Sequence, residues 1–532
     1  MVQRATEEFT VTWKDPADAG KTWMLDAMHF PRPMPRLTTH LIETVRREVF
    51  NGARSLSVHG YHYALDAFPP PPTPEVIQRG PFDVWENDYV PRIRAICQQI
   101  RSDGYDSKSA IELAESLDAI VARAVEAFRY TMVVVYAFMG PTFQLVEFFE
   151  KKLGEDGPSL LATLLQGTSN GTAAAGAGLA SLARIAAGLP DVAAALRSGR
   201  YENIESVAGG AEFQSSLREY LDEFGWRAES WGLPHVPTWA EDPHTPLLLI
   251  ARYLEDPDFS PDAAIQRSQR QHDEAMRELE SRLSGDELDE LKTRLAACEG
   301  HVSISEGRAM WQLTIIGSFR VPLLALGRKL VQAGALDHPN DVFFFDLEEL
   351  REAARSPSPS YKATAAARRA ELGRWEHLDP PPFLGAPPPA EVPAELKSLV
   401  SKFFGLGVEP SKEKNVIKGN AASRGSARGR ARVIRDLTEA DRLQKGDVLV
   451  CPTTAPPWTP LFALAAAVVT DTGGILSHSA ICAREYGIPC VVGTQVGTSR
   501  IPDGAMVSVD GAEGIVRIED PHPVESRRPL CQ

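Results

Sequence analysis

The sequence predicts a multidomain chain: a mainly α-helical domain followed by a smaller β/α domain, with a proline-rich segment between them. Three observations carry this. Apolar residues recur at helical spacing between about 80 and 355, as at Leu113, Leu117, Ile120, Val121, Ala124 and Phe128. Prolines then crowd in Ser356-Pro-Ser-Pro359, Pro380-Pro-Pro382 and Pro387-Pro-Pro389. Beyond 415 the texture changes to short β-branched runs separated by glycines. The length, 532 residues, and a hydrophobic fraction of 43% suit more than one folded core.

Taken in order, residues 1–75 mix aromatics, prolines and histidines and predict an irregular part of short strands and loops. Helices are predicted over Ala110–Tyr130 and over two stretches parted at Gly285, with Met276, Leu279 and Leu283 on one side and Leu288, Leu291 and Leu295 on the other. The small-residue stretch Gly167–Gly178 lacks the Gly-Lys-Ser/Thr of a phosphate-binding loop, so it predicts close helix packing. The whole of 1–355 is assigned to the helical domain. Residues 356–414 are expected to be a stiffened linker with a short helix at Lys362–Leu372. Strands are predicted at Ala431–Ile434, Val448–Cys451, Ala467–Thr470, Cys490–Gly493, Met506–Val509 and Ile515–Ile518. The last two form a hairpin through Asp510–Gly514. The β/α domain is thus 415–520, with 521–532 a tail.

Charge and composition exclude several roles. A net charge of −15 argues against a nucleic-acid surface. The start of the chain lacks an apolar signal core, and no apolar run approaches the roughly 20 residues that span a bilayer, so a cytoplasmic protein is expected. Six scattered cysteines have neither disulfide nor metal-ligand spacing. Cys482 falls on the helix discussed next, and packing is its simplest role.

The chemistry concentrates in Asp471-Thr-Gly-Gly-Ile-Leu-Ser-His-Ser-Ala-Ile-Cys-Ala-Arg-Glu-Tyr-Gly-Ile-Pro-Cys-Val-Val-Gly493. The apolar run Leu461–Val469 reads as a buried strand. Gly473 and Gly474 permit a tight turn. Ser477 caps a helix that runs to about Glu485 and ends at Gly487. His478 therefore stands on the first turn of a helix, where free N–H groups and the dipole favour an anionic group. A neutral imidazole there is a nucleophile able to carry a phosphoryl group. Thr472, Gly473, Gly474 and Ser477 are the candidates for contacting its oxygens.

This stretch resembles the signature of the phosphohistidine swivelling domain of phosphoenolpyruvate-utilising enzymes: Gly-Gly, two residues, Ser-His, Ala-Ile, Ala-Arg, then Gly-Ile-Pro-x-Val-Val-Gly. Ala421–Val433, Gly446–Pro452 and Trp458–Phe462 look like further parts of that domain. Upstream, Phe224-Gly-Trp-Arg227, Trp239–Pro243, Leu323–Leu330 and Asn340–Leu350 resemble the acceptor-binding region of rifampicin phosphotransferase and of phenylphosphate and cresol phosphate synthases. Trp23–Pro31 and Gly60–Tyr63 also look family-like. One departure is Trp226, where that family commonly has histidine.

The resemblance implies a subunit of an ATP-dependent phosphotransferase, converting ATP, water and an acceptor hydroxyl to AMP, phosphate and a phosphorylated acceptor. His478 would be the catalytic carrier. The sequence shows neither an ATP-grasp pattern nor room for a further barrel, so a separate ATP-grasp subunit is expected to bind ATP and Mg2+, with no cofactor held tightly by this chain. The acceptor is expected to be a small hydroxyl compound, phenolic, such as phenol or cresol. Arg308 and Arg320, on the otherwise apolar stretch Ser305–Leu330, are candidate phosphate contacts. His29, His62, Tyr63 and Trp226 are candidate acceptor-site residues. The alternatives are a phosphohistidine relay protein and an antibiotic-inactivating phosphotransferase subunit.

Overall fold

The computed structural model describes residues 9–50, 53–65, 69–154, 157–164, 171–232, 234–255, 261–378, 380–387, 411, 413–475 and 477–519. The central part of the expected linker, the tail and residues 167–170 of Gly167–Gly178 lie outside these residues.

A 48-residue helix, Gly285–Gln332, is the axis of the helical body. Helices Val90–Ser102, Ala110–Met132 and Val135–Leu153 pack on it. The first two form one core with Trp85, Ile315, Leu323 and Phe343, while Leu145, Phe149 and Leu153 of the third join a second core with Leu291 and Leu295. The break before the long helix falls at Ser284 rather than Gly285. The Ser284 hydroxyl accepts from the N–H of Glu287, whose carboxylate caps Ser284 in return, so Gly285 is the first helical residue. The stretches 110–153 and 285–332 are, by length and composition, long and apolar enough to cross a membrane, which the count of apolar runs had excluded. They pack on each other inside the body.

The N-terminal part is more regular than expected. A 14-residue helix, Arg36–Val49, lies beside strands β1 (Thr22–Leu25), β2 (Arg54–Val58) and β3 (Tyr61–Leu65). The expected linker returns to this sheet. After helix Ser360–Trp375, strand β4 (Phe383–Gly385) pairs antiparallel with β1, giving the order β2-β3-β1-β4. Leu384 is buried with Trp23, Tyr61 and Tyr63. Burial of that side chain is why residues up to 387 belong to the body and are not free linker.

The second domain is a sheet of eight strands: β5 (Val416–Lys418), β6 (Asn420–Ser423), β7 (Ser426–Val433), β8 (Val448–Cys451), β9 (Ala467–Thr470), β10 (Cys490–Val492), β11 (Met506–Asp510) and β12 (Ile515–Ile518). Their order is β5-β12-β11-β7-β8-β9-β10-β6, with β7 to β10 parallel in the middle. The hairpin β11–β12 turns at Asp510, as its sequence predicts. Of the apolar run Leu461–Val469, only the end is strand; Pro456–Ala463 is a 3-10 helix containing Pro460, which has no N–H for a ladder. The parallel strands end on one edge of the sheet, where β/α folds place their sites. That edge faces the helical body.

Candidate active site

The loop after β9 is pinned to its neighbours. Thr472 gives both its N–H and its hydroxyl to the Pro452 carbonyl, at 3.0 and 3.2 Å. Gly473 has φ +103°, and an added Cβ would stand 2.8 Å from Ser477 Oγ. The Ser477 N–H donates to the Gly474 carbonyl at 3.0 Å. Asp471 accepts from the N–H and hydroxyl of Thr498, while burial pushes its carboxyl up. Helix His478–Tyr486 starts here and stops at Gly487, φ +66°. The Ser477 hydroxyl makes no capping bond and has no hydrogen-bond partner among the described residues. It is thus a donor next to His478 with nothing to satisfy it.

The His478 side chain is only 7% exposed because the helical body covers it. Its Nδ1 lies 2.8 Å from Glu306 Oε2, and Glu306, on the long helix, is 4% exposed. A carboxylate accepts, so Nδ1 is the protonated nitrogen and Nε2 holds the lone pair. Nε2 is 3.3 Å from Thr459 Oγ1 and 3.3 Å from Cys482 Sγ. Burial pushes the Cys482 thiol far above its ordinary range, which makes it inert as a nucleophile.

Three further contacts cross the same junction. Glu229 Oε1 accepts from the Leu437 N–H at 2.7 Å, Arg32 meets Asp436 at 2.9 Å, and the Tyr253 hydroxyl donates to the Pro460 carbonyl at 3.2 Å. Burial raises the Glu229 carboxyl to about 7. An apolar core is shared across it as well: Leu217, Leu249 and Ile250 of the body with Ala455, Trp458 and Phe462 of the sheet domain. Gly176 admits the Tyr486 hydroxyl, which a Cβ there would meet at 2.6 Å. The close packing predicted for Gly167–Gly178 is realised at this described end.

The other candidates divide. Arg308 donates to the Thr131 carbonyl at 2.5 Å and approaches Met132 Sδ, and burial lowers it to about 10. Arg320 is fully buried. It grips Glu241 with two nitrogens at 2.7 and 2.9 Å, donates to the Pro234 carbonyl and lies over the Phe343 ring. Its polar atoms serve the fold, so the expected phosphate contact is replaced by a structural clamp. His29 holds Asp26 Oδ1 at 2.8 Å through Nδ1 and stands edge-on to Trp231. Trp231 in turn donates to Gln312 on the long helix at 2.9 Å. His62 is fully buried edge-on to Phe30, neither ring nitrogen has a partner among the described residues, and burial lowers it to about 3. Tyr63 donates to the Pro381 carbonyl at 2.9 Å inside the small sheet, where burial raises its hydroxyl; it is core, not pocket wall. Trp226 carries the Arg101 guanidinium over its ring at 4.9 Å. Only His29 and His62 are brought together, around Phe30 and Asp26.

Comparison with known proteins agrees with this geometry. Residues 443–514 match the mobile domain of PEP-utilising enzymes, and residues 129–314 match the fourth domain of rifampicin phosphotransferase. Two segments of the chain are thus similar to parts of PEP-utilising phosphotransferases. Among its relatives, chondramide synthase cmdD of Chondromyces crocatus is 31% identical over 96% of the chain, which spans 14% of that protein. The uncharacterized phosphotransferase YvkC of Bacillus subtilis is 29% identical over 82% of the chain and 52% of its own length. A rifampicin phosphotransferase of Streptomyces sviceus is 29% identical over 72% of the chain and 44% of its own length. The chain therefore spans about half of the phosphotransferase relatives it matches.

Proposed function

We propose that the chain is the carrier and acceptor part of an ATP-dependent phosphotransferase. An ATP-grasp partner, holding ATP and Mg2+, places a phosphoryl group on His478 Nε2. The sheet domain then swivels back to the helical body, where a bound acceptor hydroxyl takes the group. The net reaction is ATP + H2O + acceptor-OH → AMP + phosphate + phosphorylated acceptor. The observation that supports this most is the 2.8 Å contact of His478 Nδ1 with Glu306, which fixes the tautomer and presents Nε2 at the junction. The unsatisfied Ser477 hydroxyl and the free N–H groups of the first helical turn suit the phosphoryl oxygens.

The acceptor side requires a base. His29, oriented by Asp26, is the best-placed imidazole for it: Asp26 takes Nδ1–H and leaves Nε2 as the acceptor of a proton. Burial alone would raise Asp26, but His29 and Arg46 hold it well below the usual carboxylate range. We take a phenol or cresol as the acceptor. The match to the rifampicin phosphotransferase fourth domain favours a second reading, a larger antibiotic hydroxyl.

A panel of phenol, cresol, aliphatic alcohols and rifampicin, with the chain plus a cognate ATP-grasp protein, separates these by AMP release and 31P NMR of the product. The chain alone should release no AMP. The His478→Ala variant should bind partners and give no turnover. Turnover without AMP, or full activity in that variant, overturns the mechanism.

A further inference from the structure

We propose that the junction between the two domains is a binding site for a thiophilic divalent cation, zinc above all, held by Glu306, His478 and Cys482. The ligand atoms of these three residues all lie within 4.8 Å of one another. His478 and Cys482 are four residues apart on one helix, so both face the same way. Helices present pairs of zinc ligands at this spacing. Glu306 comes from the opposing long helix and completes the set across the junction.

The distances suit the ion. Zinc binds imidazole nitrogen at about 2.0 Å and thiolate sulfur at about 2.3 Å, so a tetrahedral site keeps these ligand atoms roughly 3.5 Å apart. Cys482 Sγ is 3.6 Å from Nδ1 and 3.3 Å from Nε2. Being nearly equidistant, it lies off both lone-pair axes. A turn about the Cα–Cβ bond of Cys482 brings it to the Nδ1 side. Glu306 Oε2, at 2.8 Å from Nδ1, moves outward by about half an ångström to make room for an ion between them.

The proton balance is simple. The imidazole changes tautomer: its one proton moves from Nδ1 to Nε2, where Thr459 Oγ1, 3.3 Å away, can accept it. The Cys482 thiol loses its proton to solvent as the S–Zn bond forms. The dication, carboxylate and thiolate then sum to zero, which suits a site this buried. Thiolate and imidazole disfavour magnesium and calcium, which prefer oxygen ligands. The ion ties the sheet domain to the helical body and leaves Nε2 without a lone pair. This second effect, closure of the phosphoryl-carrying nitrogen, rests on the function proposed above; the metal site does not.

Titration of the full metal-free chain with Co2+ tests the site. The expected result is one equivalent bound, with a near-ultraviolet thiolate-to-cobalt charge-transfer band and strong visible bands of tetrahedral cobalt. Binding of either ion to the metal-free chain should release one proton, and Zn2+ should displace Co2+ without further release. Cys482→Ser should remove the charge-transfer band, and Glu306→Gln, which keeps the side-chain shape, should weaken binding by about tenfold or more. Absence of the band, or a band unchanged in Cys482→Ser, overturns the site. Phosphoramidate then serves as a small phosphoryl donor, followed by 31P NMR. Zinc should protect His478 from it; equal phosphorylation with and without zinc overturns the closure. Failure of phosphoramidate to label His478 even without metal counts against the carrier reading, and leaves the cobalt spectrum to judge the site.

Discussion

Glu306→Gln isolates the contact that holds the phosphohistidine candidate against the helical body. The amide has the shape of the carboxylate, so packing around a side chain 4% exposed is kept. What changes is the bond to His478 Nδ1, now 2.8 Å long. A hydrogen bond to a charged partner contributes about 1.5–3 kcal/mol, and a neutral one about 1 kcal/mol. The substitution therefore costs about 0.5–2 kcal/mol of docking, or roughly a 2- to 30-fold rise in the undocked population. Arg32–Asp436, Glu229–Leu437 and Tyr253–Pro460 remain to keep docking dominant. The assay is the rate at which diethyl pyrocarbonate modifies His478, followed by peptide mass spectrometry. Because the ring is 7% exposed when docked, reaction proceeds through the undocked form and its rate should rise by the same factor. An unchanged rate in a variant with unchanged circular dichroism and thermal midpoint refutes the view that Glu306 holds the histidine in place.

Other outcomes follow from the same structure. Arg320→Met breaks the buried pair with Glu241 and should cost about 3–5 kcal/mol in urea unfolding; an unaltered midpoint would show that Arg320 is not a structural clamp. His62, lowered to about 3, must take up a proton on unfolding below its ordinary value near 6.5. Its contribution is complete above that value and is lost as pH falls towards 3, so His62→Phe should flatten the acid limb of the stability curve. Glu229, raised to about 7, favours its protonated form when folded. Its contribution is complete below about 4.5 and lost as pH rises through 7, so Glu229→Gln should gain up to about 3 kcal/mol on wild type between those limits, measured at pH 5 and pH 8. Gly473→Ala forces a Cβ onto Ser477 at φ +103° and should reduce labelling of His478 by phosphoramidate at least tenfold with the fold retained.

Much of this arrangement was legible in local sequence. Val448–Cys451, Ala467–Thr470 and Ile515–Ile518 are strands at the predicted bounds, because short β-branched runs bounded by glycine or proline leave few alternatives. The helix from His478 and its stop at Gly487 read correctly for the same reason, but the capping bond expected of the Ser477 hydroxyl is not made. Helix Arg36–Val49 was missed although Leu37, Leu41, Val45 and Val49 recur at helical spacing, because the aromatics, prolines and histidines around it read as short strands and loops. The partners of His478 were not legible. Glu306 lies 172 positions away, and its sign is only that of a charge on an apolar helical stretch. That same sign singled out Arg308 and Arg320, which proved to be tied inside the body. A charge on an apolar face signals a buried partner, but not which partner; that depends on how two domains meet.

The apolar core shared by Leu249, Ile250, Trp458 and Phe462 has a kinetic consequence. A sheet domain that travels must part this seam on every cycle and wet side chains that are dry at rest. Under the proposed carrier role, opening is then expected to set the tempo, with bond exchange at phosphorus following quickly. It also means that the travelling domain does not wander freely: the cheapest destination for its bared face is another oily surface. On the proposed function, turnover would be a hand-over between two hydrophobic berths, and the interval between them is what an inhibitor of motion would lengthen.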